Sequence, residues 1–156
     1  DDILGHLYLG EEENGIWKYN ANPNSSEEGV LIDSIGPNLA ADVEGLTIYY
    51  SSKTTGYLIA SSQGDNTYAI YTREGDNKFI GRFAIVDSEN IDGTSSTDGI
   101  DVCNMSLGKN FSQGAFIVQD DENDKGKQNF KVVPWENIAS SFNPPLTNNN
   151  KWSIRY

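Results

Sequence analysis

The chain has 156 residues and a mass of 17.2 kDa, which suffices for one domain with a hydrophobic core, and no linker-like stretch divides it. Its 11 basic and 23 acidic side chains give a formal net charge of −12, which argues against nucleic acids and anionic membrane surfaces as partners and makes cations the natural complement. The single cysteine, Cys103, excludes an intrachain disulfide, and no run approaches the ~18 apolar residues of a membrane span, so we expect a soluble chain.

Three segments of the chain repeat one pattern. They begin at Gly5 with "GHLYLGEEENGIWKYNA", at Gly56 with "GYLIASSQGDNTYAIYTRE" and at Gly114 with "GAFIVQDDENDKGKQNFKVVPW". Each has a glycine, a short apolar run, a polar or acidic cluster and a second run that is rich in aromatic residues. This pattern predicts three β-hairpins of related structure.

The second and third hairpins are each preceded by another predicted strand, which starts with an acidic residue and a glycine. These strands are "EGLTIYY" from Glu44 and "DGIDVCNMSLG" from Asp98, and a fourth strand, "FIGRFAIV", follows the second hairpin at Phe79. A short helix is predicted in "PWENIASSF", which starts at Pro134. Four short antiparallel strands within roughly 50 residues are typical of a propeller blade.

The repeats therefore predict an all-β fold, a β-propeller with about three four-stranded blades. The blades correspond roughly to residues 1–40, 41–94 and 95–156 of a single partial propeller domain. A propeller ring takes typically 4 to 8 blades, and the first repeat lacks the strand that should precede it. We therefore expect further blades from polypeptide upstream, from a second chain or from another copy of this one.

Acidic residues lie where these strands begin. Asp42 and Glu44 are two residues apart, so on an extended backbone both side chains leave the same face. Two like charges at such a distance raise each other's pKa unless a cation lies between them. The pair is either part of a metal site or an exposed feature of a turn.

Three other acidic segments lie at the starts of strands or at the tips of hairpins. They are "GEEENG" from Gly10, "DGTSSTDG" from Asp92 and the run from Asp120 to Asp124, for which turns and solvated loops are the plain alternatives. In a propeller such places meet at one end of the ring. Carboxylates and amides without cysteine or histidine beside them favour Ca²⁺ over zinc or copper. A serine nucleophile lacks a base, because His6 is the only histidine.

Four stretches resemble matching segments of one family, the β-propeller phytases. They are "DVEGLTIYY", "GYLIASSQGDNTYAIY", "TDGIDV" and "QNFKVVPWENIA", and the resemblance extends from Asp1 to about Phe142. That family consists of secreted, calcium-dependent bacterial phosphatases that act on inositol hexakisphosphate (phytate). Its fold is a six-bladed propeller, so the resemblance implies that this chain is the C-terminal half and that an N-terminal half is its missing partner.

The resemblance also implies roles for individual residues. The residues that would hold the catalytic calcium ions are Glu12, Asp42, Glu44 and Asp98. Gln63 would orient water, metal or substrate in the same cleft. Calcium ions that brace the structure would be bound by Asp92, Asp120 and Asn123. The loop after Asn123 is shorter than the family pattern, and the family's phosphate-binding Lys and Arg residues belong to the half that is absent here.

The function implied by this resemblance is calcium-dependent hydrolysis of phosphomonoesters in phytate or calcium phytate. Bridging calcium ions would reverse the charge of the acidic cleft, polarise one phosphoryl group and lower the pKa of an attacking water. The alternative is a non-catalytic calcium-binding module or scaffold. A sugar-binding propeller would instead expose aromatic surfaces, whereas Trp17 and Trp135 lie in patterns typical of a core.

Overall fold

The computed structural model describes residues 1–124 and 126–152, and in them the chain forms three antiparallel β-sheets. The first sheet has the order β1 (His6–Glu11), β2 (Gly15–Asn20), β3 (Val30–Ser34). The second has the order β4 (Val43–Tyr50), β5 (Gly56–Ser62), β6 (Thr67–Thr72), β7 (Phe79–Phe83). The third has the order β8 (Ile100–Cys103), β9 (Ala115–Asp120), β10 (Asn129–Pro134).

The three predicted hairpins and the all-β fold are confirmed. The hairpins that begin at Gly5, Gly56 and Gly114 are β1–β2, β5–β6 and β9–β10. The strands predicted before the second and third hairpins are β4 and β8, and the predicted fourth strand is β7. In the described residues the sheets have three, four and three strands, so the expected count of four holds only for the second sheet.

Strand β4 lies between β1 of the first sheet and β8 of the third. The backbone N–H of Val43 donates a hydrogen bond to the carbonyl oxygen of Glu12 at 2.9 Å. The N–H of Gly45 donates to the carbonyl oxygen of Asp98 at 2.8 Å. These two bonds join the three sheets at one end of β4, close to Glu12, Glu44 and Asp98, which are among the residues predicted to bind calcium.

Two clusters of buried side chains fill the spaces between the sheets. The cluster between the second and third sheets includes Tyr49, Ile59, Ile70, Phe116 and Trp135. The cluster between the first and second sheets includes Ile16, Leu39, Val43, Leu58 and Tyr71. In the larger cluster the indole of Trp135 stacks on the ring of Tyr49, with centroids 3.9 Å apart. At about 25 cal/mol per Å², the roughly 150–250 Å² that an aromatic side chain buries stabilises the fold by about 4–6 kcal/mol before the cost of conformational entropy.

The second sheet is the middle layer of the molecule. Buried clusters cover both faces of this sheet. Consecutive residues of β5 and β6 are therefore buried, whichever face their side chains point to. This explains why their sequences read as nearly continuous apolar and small residues rather than as an alternation.

The predicted short helix is confirmed as α1 (Trp135–Ser140), which follows β10 directly. Its buried side chains are those of Trp135, Ile138 and Ala139, which share one face of the helix. The prediction that Trp135 belongs to the core is therefore confirmed, whereas Trp17, for which the same was expected, is only half-buried. Among the residues described, no helix is long and apolar enough to cross a membrane.

Candidate functional site

Five residues that the family resemblance assigns to one cleft have main chains that converge at one end of β4, and we name this group the acidic cleft: Glu12, Asp42, Glu44, Gln63 and Asp98. Glu12 follows β1, Gln63 follows β5 and Asp98 precedes β8, so each sheet contributes to the group. The backbone N–H of Gln63 donates to the carbonyl oxygen of Asp42 at 2.9 Å. Together with the two bonds that join the sheets, this fixes all five residues through their main chains.

Glycines allow the strands to approach closely enough for this meeting. A Cβ atom on Gly45 would lie 2.8 Å from both the carbonyl oxygen of Asp98 and the amide nitrogen of Ile100, closer than real Cβ contacts. On Gly10 it would lie 3.1 Å from the carbonyl oxygen of Val43. The glycine of "EGLTIYY" is therefore required by the contact that brings Asp98 beside Glu44.

Side-chain hydrogen bonds orient two members of the group. Nε2 of Gln63 donates to Oδ1 of Asp98 at 2.7 Å. The backbone N–H of Asp98 donates to Oε1 of Gln119 on β9 at 2.8 Å. The carboxylate of Asp98 is thus held towards Gln63, on the side of the cleft formed by the third sheet.

The loop that carries Asp98 is held in place by hydrogen bonds to Tyr68 on β6 and to Asn66, which precedes β6. The hydroxyl of buried Tyr68 is hydrogen-bonded to the hydroxyls of Thr94 and Thr97, at 2.7 Å and 2.8 Å. The backbone N–H of Ser96 donates to Oδ1 of Asn66 at 2.8 Å. The stretch "DGTSSTDG" is therefore a fixed part of the fold rather than a solvated loop.

Glu44 shows that the carboxylates of the cleft act on one another. The side chain is half-buried, and its pKa is raised above the ordinary value, first by burial and then by the negative charges of Glu12, Asp98 and Asp42. Burial and like charge both disfavour an ionised carboxylate. The cleft is therefore a place where a cation would be bound favourably.

The four carboxylates of this cleft have no basic partner in the described part of the chain. The ion pairs found in residues 1–124 and 126–152 involve the carboxylates of Asp1, Asp65, Asp92 and Asp120. Within the same residues, no three acidic, histidine or cysteine side chains are close enough to form a ready-made metal site. The donor chemistry suits Ca²⁺, and a bound ion would have to draw the side chains together.

The three residues expected to bind bracing calcium ions, Asp92, Asp120 and Asn123, also come together. They surround the ammonium group of Lys131, whose Nζ lies 2.8 Å from Oδ1 of Asp92, 2.8 Å from Oδ2 of Asp120 and 3.1 Å from Oδ1 of Asn123. We name this group the lysine junction. It connects the loop after β7 with the β9–β10 hairpin.

The lysine junction is buried and electrostatically matched. The side chain of Lys131 is 7% exposed and that of Asp120 is 1% exposed. Burial lowers the pKa of Lys131, but hydrogen bonds to Asp120 and Asp92 outweigh it and leave this pKa above the ordinary value. The hydrogen bond from Lys131, followed by that from the N–H of Asp124, lowers the pKa of Asp92.

A calcium ion does not fit this arrangement alongside the ammonium group. Two cations that share the same three oxygens would lie within a few ångströms of each other and repel strongly. Calcium takes roughly six to eight oxygen ligands at about 2.3–2.6 Å, and the oxygens here are already used by N–H donors. The two acidic groups thus differ in their cation. The carboxylates of the lysine junction pair with Lys131, whereas those of the acidic cleft have no basic partner among the described residues.

The sequence motifs did not reveal a role for Lys131, although "QNFKVVPWENIA" contains it. The alternation along β10 predicts the opposite orientation, because it would place apolar Phe130 and Val132 inward, whereas they are exposed and Lys131 between them is buried. A lysine between two apolar residues of a strand must face inward whenever those residues face outward. Such a lysine needs anionic partners.

Two comparisons with known proteins bear on this chain. A family model with the description "Phytase" matches residues 1–154. A protein of Bacillus subtilis (strain 168) with the name "3-phytase" is 52% identical over 144 residues, which cover 89% of this chain and 38% of that relative. The chain therefore spans less than half the length of this curated relative.

Proposed function

The chain belongs to the phytase family, and from this premise we propose that it supplies the acidic part of a calcium-dependent active site that hydrolyses phosphomonoesters of phytate. In this proposal the three sheets are three blades of a six-bladed propeller and the chain is its C-terminal half, one partial domain over residues 1–156. The protein acts outside the cell, as a secreted enzyme. The N-terminal half of the propeller is its partner.

The observation that carries the proposal is the raised pKa of Glu44, which lies among carboxylates. Its pKa is raised by burial and by Glu12, Asp98 and Asp42, and none of these carboxylates has a basic partner among the described residues. Phytate is a dense polyanion that such a cleft would repel. Calcium ions shared between the carboxylates and the phosphates would remove both repulsions at once.

The residues of the cleft would divide the work between them. Glu12, Asp42, Glu44 and Asp98 would hold calcium, which when bound polarises a phosphoryl group and lowers the pKa of a coordinated water. Gln63 is fixed by its hydrogen bond to Asp98 and would orient a water or a phosphate oxygen with its free carbonyl group. The carboxylates would keep the site anionic enough to retain calcium between turnovers.

The proposal is tested by replacing Asp42 in the native protein that carries this chain. Asp42→Asn removes one of the four charges and leaves the carbonyl that receives the Gln63 N–H intact. We expect phosphate release from calcium phytate to fall by about 100-fold or more, since charge stabilisation by a metal contributes several kcal/mol. A colorimetric phosphate assay measures this directly.

A matched control is Asp76→Asn, at an exposed aspartate in the loop before β7. This variant should keep its full rate of phosphate release. Equal activity of the Asp42→Asn variant would refute the catalytic role of the cleft. Binding of calcium and phytate by the unaltered protein without any release of phosphate would identify it as a non-catalytic calcium-binding scaffold instead.

A further inference from the structure

We infer that the ammonium group of Lys131 is a built-in cation that takes the place of a bound calcium ion at the lysine junction, so that this part of the fold is held together without calcium. The inference goes beyond the proposed function, which concerns only the acidic cleft. It divides the acidic residues of the chain into a set that needs an external cation and a set that carries its own.

The geometry of the junction supports this assignment. The Nζ atom of Lys131 has three hydrogen-bond partners, which is the number of N–H donors of an ammonium group. Two of these partners are carboxylates, and the side chain of Asp92, at 15% exposed, is the more accessible of the two. A buried charge with all its donors used and with anionic partners is fully compensated.

The carboxylate oxygens that do not contact Lys131 are also satisfied. Oδ1 of Asp120 accepts from the backbone N–H of Ser95 at 3.0 Å, and Oδ2 of Asp92 accepts from the N–H of Asp124 at 3.0 Å. A calcium ion would have to expel the ammonium group and break these bonds to gain the same oxygens. Asp92 and Asp120 are therefore committed to N–H donors.

The amide of Asn123 is used in the same way. Its Oδ1 accepts from Nζ of Lys131 and also from Nδ2 of Asn129, at 2.7 Å. Oδ1 of Asn129 is buried without a hydrogen-bond partner among the described residues. One free amide oxygen falls far short of the roughly six to eight ligands of calcium.

The carboxylates around the lysine junction differ in their exposure to water. Further carboxylates, those of Asp87, Glu122 and Asp124, line the shallow cavity beside it and are exposed to water. Solvent and salt screen these outer charges. The inner carboxylates, which solvent screens least, are the ones that contact Lys131. The junction therefore needs a cation at the position where Lys131 supplies one.

Hydrogen exchange of individual backbone amides in the native protein tests this inference. The informative amides are those of Ser95 and Asp124, because each donates to a carboxylate of the junction. In the unaltered protein their exchange rates, taken relative to those of core amides in β6 that report global stabilisation, should agree within about twofold between excess EGTA and millimolar calcium, since no ion is lost from this place. Loss of this relative protection in EGTA would overturn the inference.

Replacing Lys131 should create the calcium dependence that the unaltered protein lacks. In the Lys131→Met variant the two carboxylates are left buried without a cation, so both amides should exchange about tenfold faster or more in EGTA. Millimolar calcium should restore part of the protection by binding where the ammonium group was. Unchanged exchange in this variant would also overturn the inference.

Two further variants separate loss of the cation from general loss of structure. Lys78→Met removes an exposed lysine and should leave both amides unaffected. The double variant Lys131→Met with Asp92→Asn removes one of the two repelling charges, so it should recover protection in EGTA relative to Lys131→Met alone. Failure of this recovery would show that Lys131 acts by packing rather than by charge. These exchange rates need no turnover, so their outcome is independent of the test of Asp42.

Discussion

Glu44 is the residue at which burial and like charge act together. Its raised pKa means that the folded protein binds this proton more tightly than the unfolded chain does. By linkage, Glu44 lowers the free energy of unfolding as the pH rises above the ordinary glutamate pKa of about 4.3, and it has no such effect well below that value. In the absence of calcium this residue therefore destabilises the fold at neutral pH.

The variant Glu44→Gln should reveal this effect, because its difference in melting temperature from the unaltered protein should change sign when calcium is added. In EGTA at pH 7 its melting temperature should be about 1–2 °C higher than that of the unaltered protein, because like-charge repulsion at a partly exposed site is weak. Near pH 3.5 the difference should vanish. In millimolar calcium the variant should melt lower, since a ligand that binds only the folded state stabilises it and Glu44 would hold that ligand.

Differential scanning calorimetry of both proteins, with and without calcium, gives these differences. Glu28→Gln, at an exposed glutamate in the loop before β3, is the control and should have no effect in either buffer. A lower melting temperature of Glu44→Gln in EGTA would mean that a favourable contact holds Glu44, contrary to the repulsion inferred from its pKa.

Arg73 forms a second buried charge pair, with Asp1. Its Nε lies 2.7 Å from Oδ2 of Asp1, both side chains are fully buried, and the guanidinium carbon lies 4.5 Å from the centre of the Tyr50 ring. Arg73→Met would leave the buried carboxylate of Asp1 without its partner, so we expect a loss of about 3–5 kcal/mol in the free energy of unfolding.

The exposed pair of Arg82 and Asp65 provides the control for this prediction. Their side chains are 37% and 32% exposed, and an ion pair in water contributes at most about 1 kcal/mol. Arg82→Met should therefore change the urea midpoint much less than Arg73→Met. Similar midpoints for the two variants would show that the Arg73 pair contributes no more than a surface pair.

The sequence allowed prediction of residue types at the site better than of their partners. Spacing predicted that Asp42 and Glu44 leave one face of an extended backbone; in the structure Asp42 lies just before β4, and its charge acts on Glu44. Spacing could not show that Lys131 would meet Asp92 and Asp120, because these residues lie on separate segments that only the packing of the third sheet brings together.

At the scale of elements, Gly45 of β4 sets the distance between the second and third sheets. Gly45→Ala would place a methyl group 2.8 Å from backbone atoms of Asp98 and Ile100, so the two segments would have to separate. We expect a loss of about 1–3 kcal/mol in the free energy of unfolding. Calcium affinity should fall as well, because Asp98 would move away from Glu44.

Gly99→Ala is the matched control, since a Cβ atom on Gly99 meets nothing within 4 Å although the residue follows Asp98 directly. Urea denaturation and a calcium titration of both variants measure the two effects. If Gly45→Ala is as stable as Gly99→Ala and binds calcium equally well, the close approach of the strands is not what assembles the cleft.

The elements that could be predicted are those with a repeated local pattern. The hairpins β1–β2, β5–β6 and β9–β10 each combine a glycine, a strand-forming run and a polar tip, and these features act within a few residues. Strand β3 has no such signal, because Val30 and Leu31 are 58% and 42% exposed and, within the residues that the structure describes, the strand pairs only with β2. Its existence depends on tertiary pairing, which a local pattern does not encode.

At the scale of the whole molecule, the net charge is −12, and its acidic groups differ in whether a basic side chain balances them. Buried negative charge at Asp1 and at the lysine junction is balanced by Arg73 and Lys131, whereas the acidic cleft has no basic partner in the described part of the chain. The fold therefore leaves Glu12, Asp42, Glu44 and Asp98, which influence one another, without an ion-pair partner among the described residues. A polyanionic substrate would meet repulsion both from these carboxylates and from the molecule as a whole.

This distribution predicts how phytate should bind to the native protein. In EGTA, binding should be at least about 100-fold weaker than in millimolar calcium, since bridging ions are needed to reverse the charge of the cleft. Magnesium should restore binding poorly, because it retains its waters and requires stricter octahedral geometry. Isothermal titration calorimetry with phytate in the three buffers measures the dissociation constants.

Added salt separates charge reversal at the cleft from simple screening of the whole molecule. Sodium chloride at about 0.5 M shortens the Debye length to roughly 4 Å, which removes the long-range repulsion between protein and phytate but supplies no bridging ligand. If calcium acts by coordination at Glu12, Asp42, Glu44 and Asp98, salt in EGTA should leave phytate binding weak. Recovery of tight binding by salt alone would mean that the acidic cleft only repels phytate, and that the phosphates are held elsewhere.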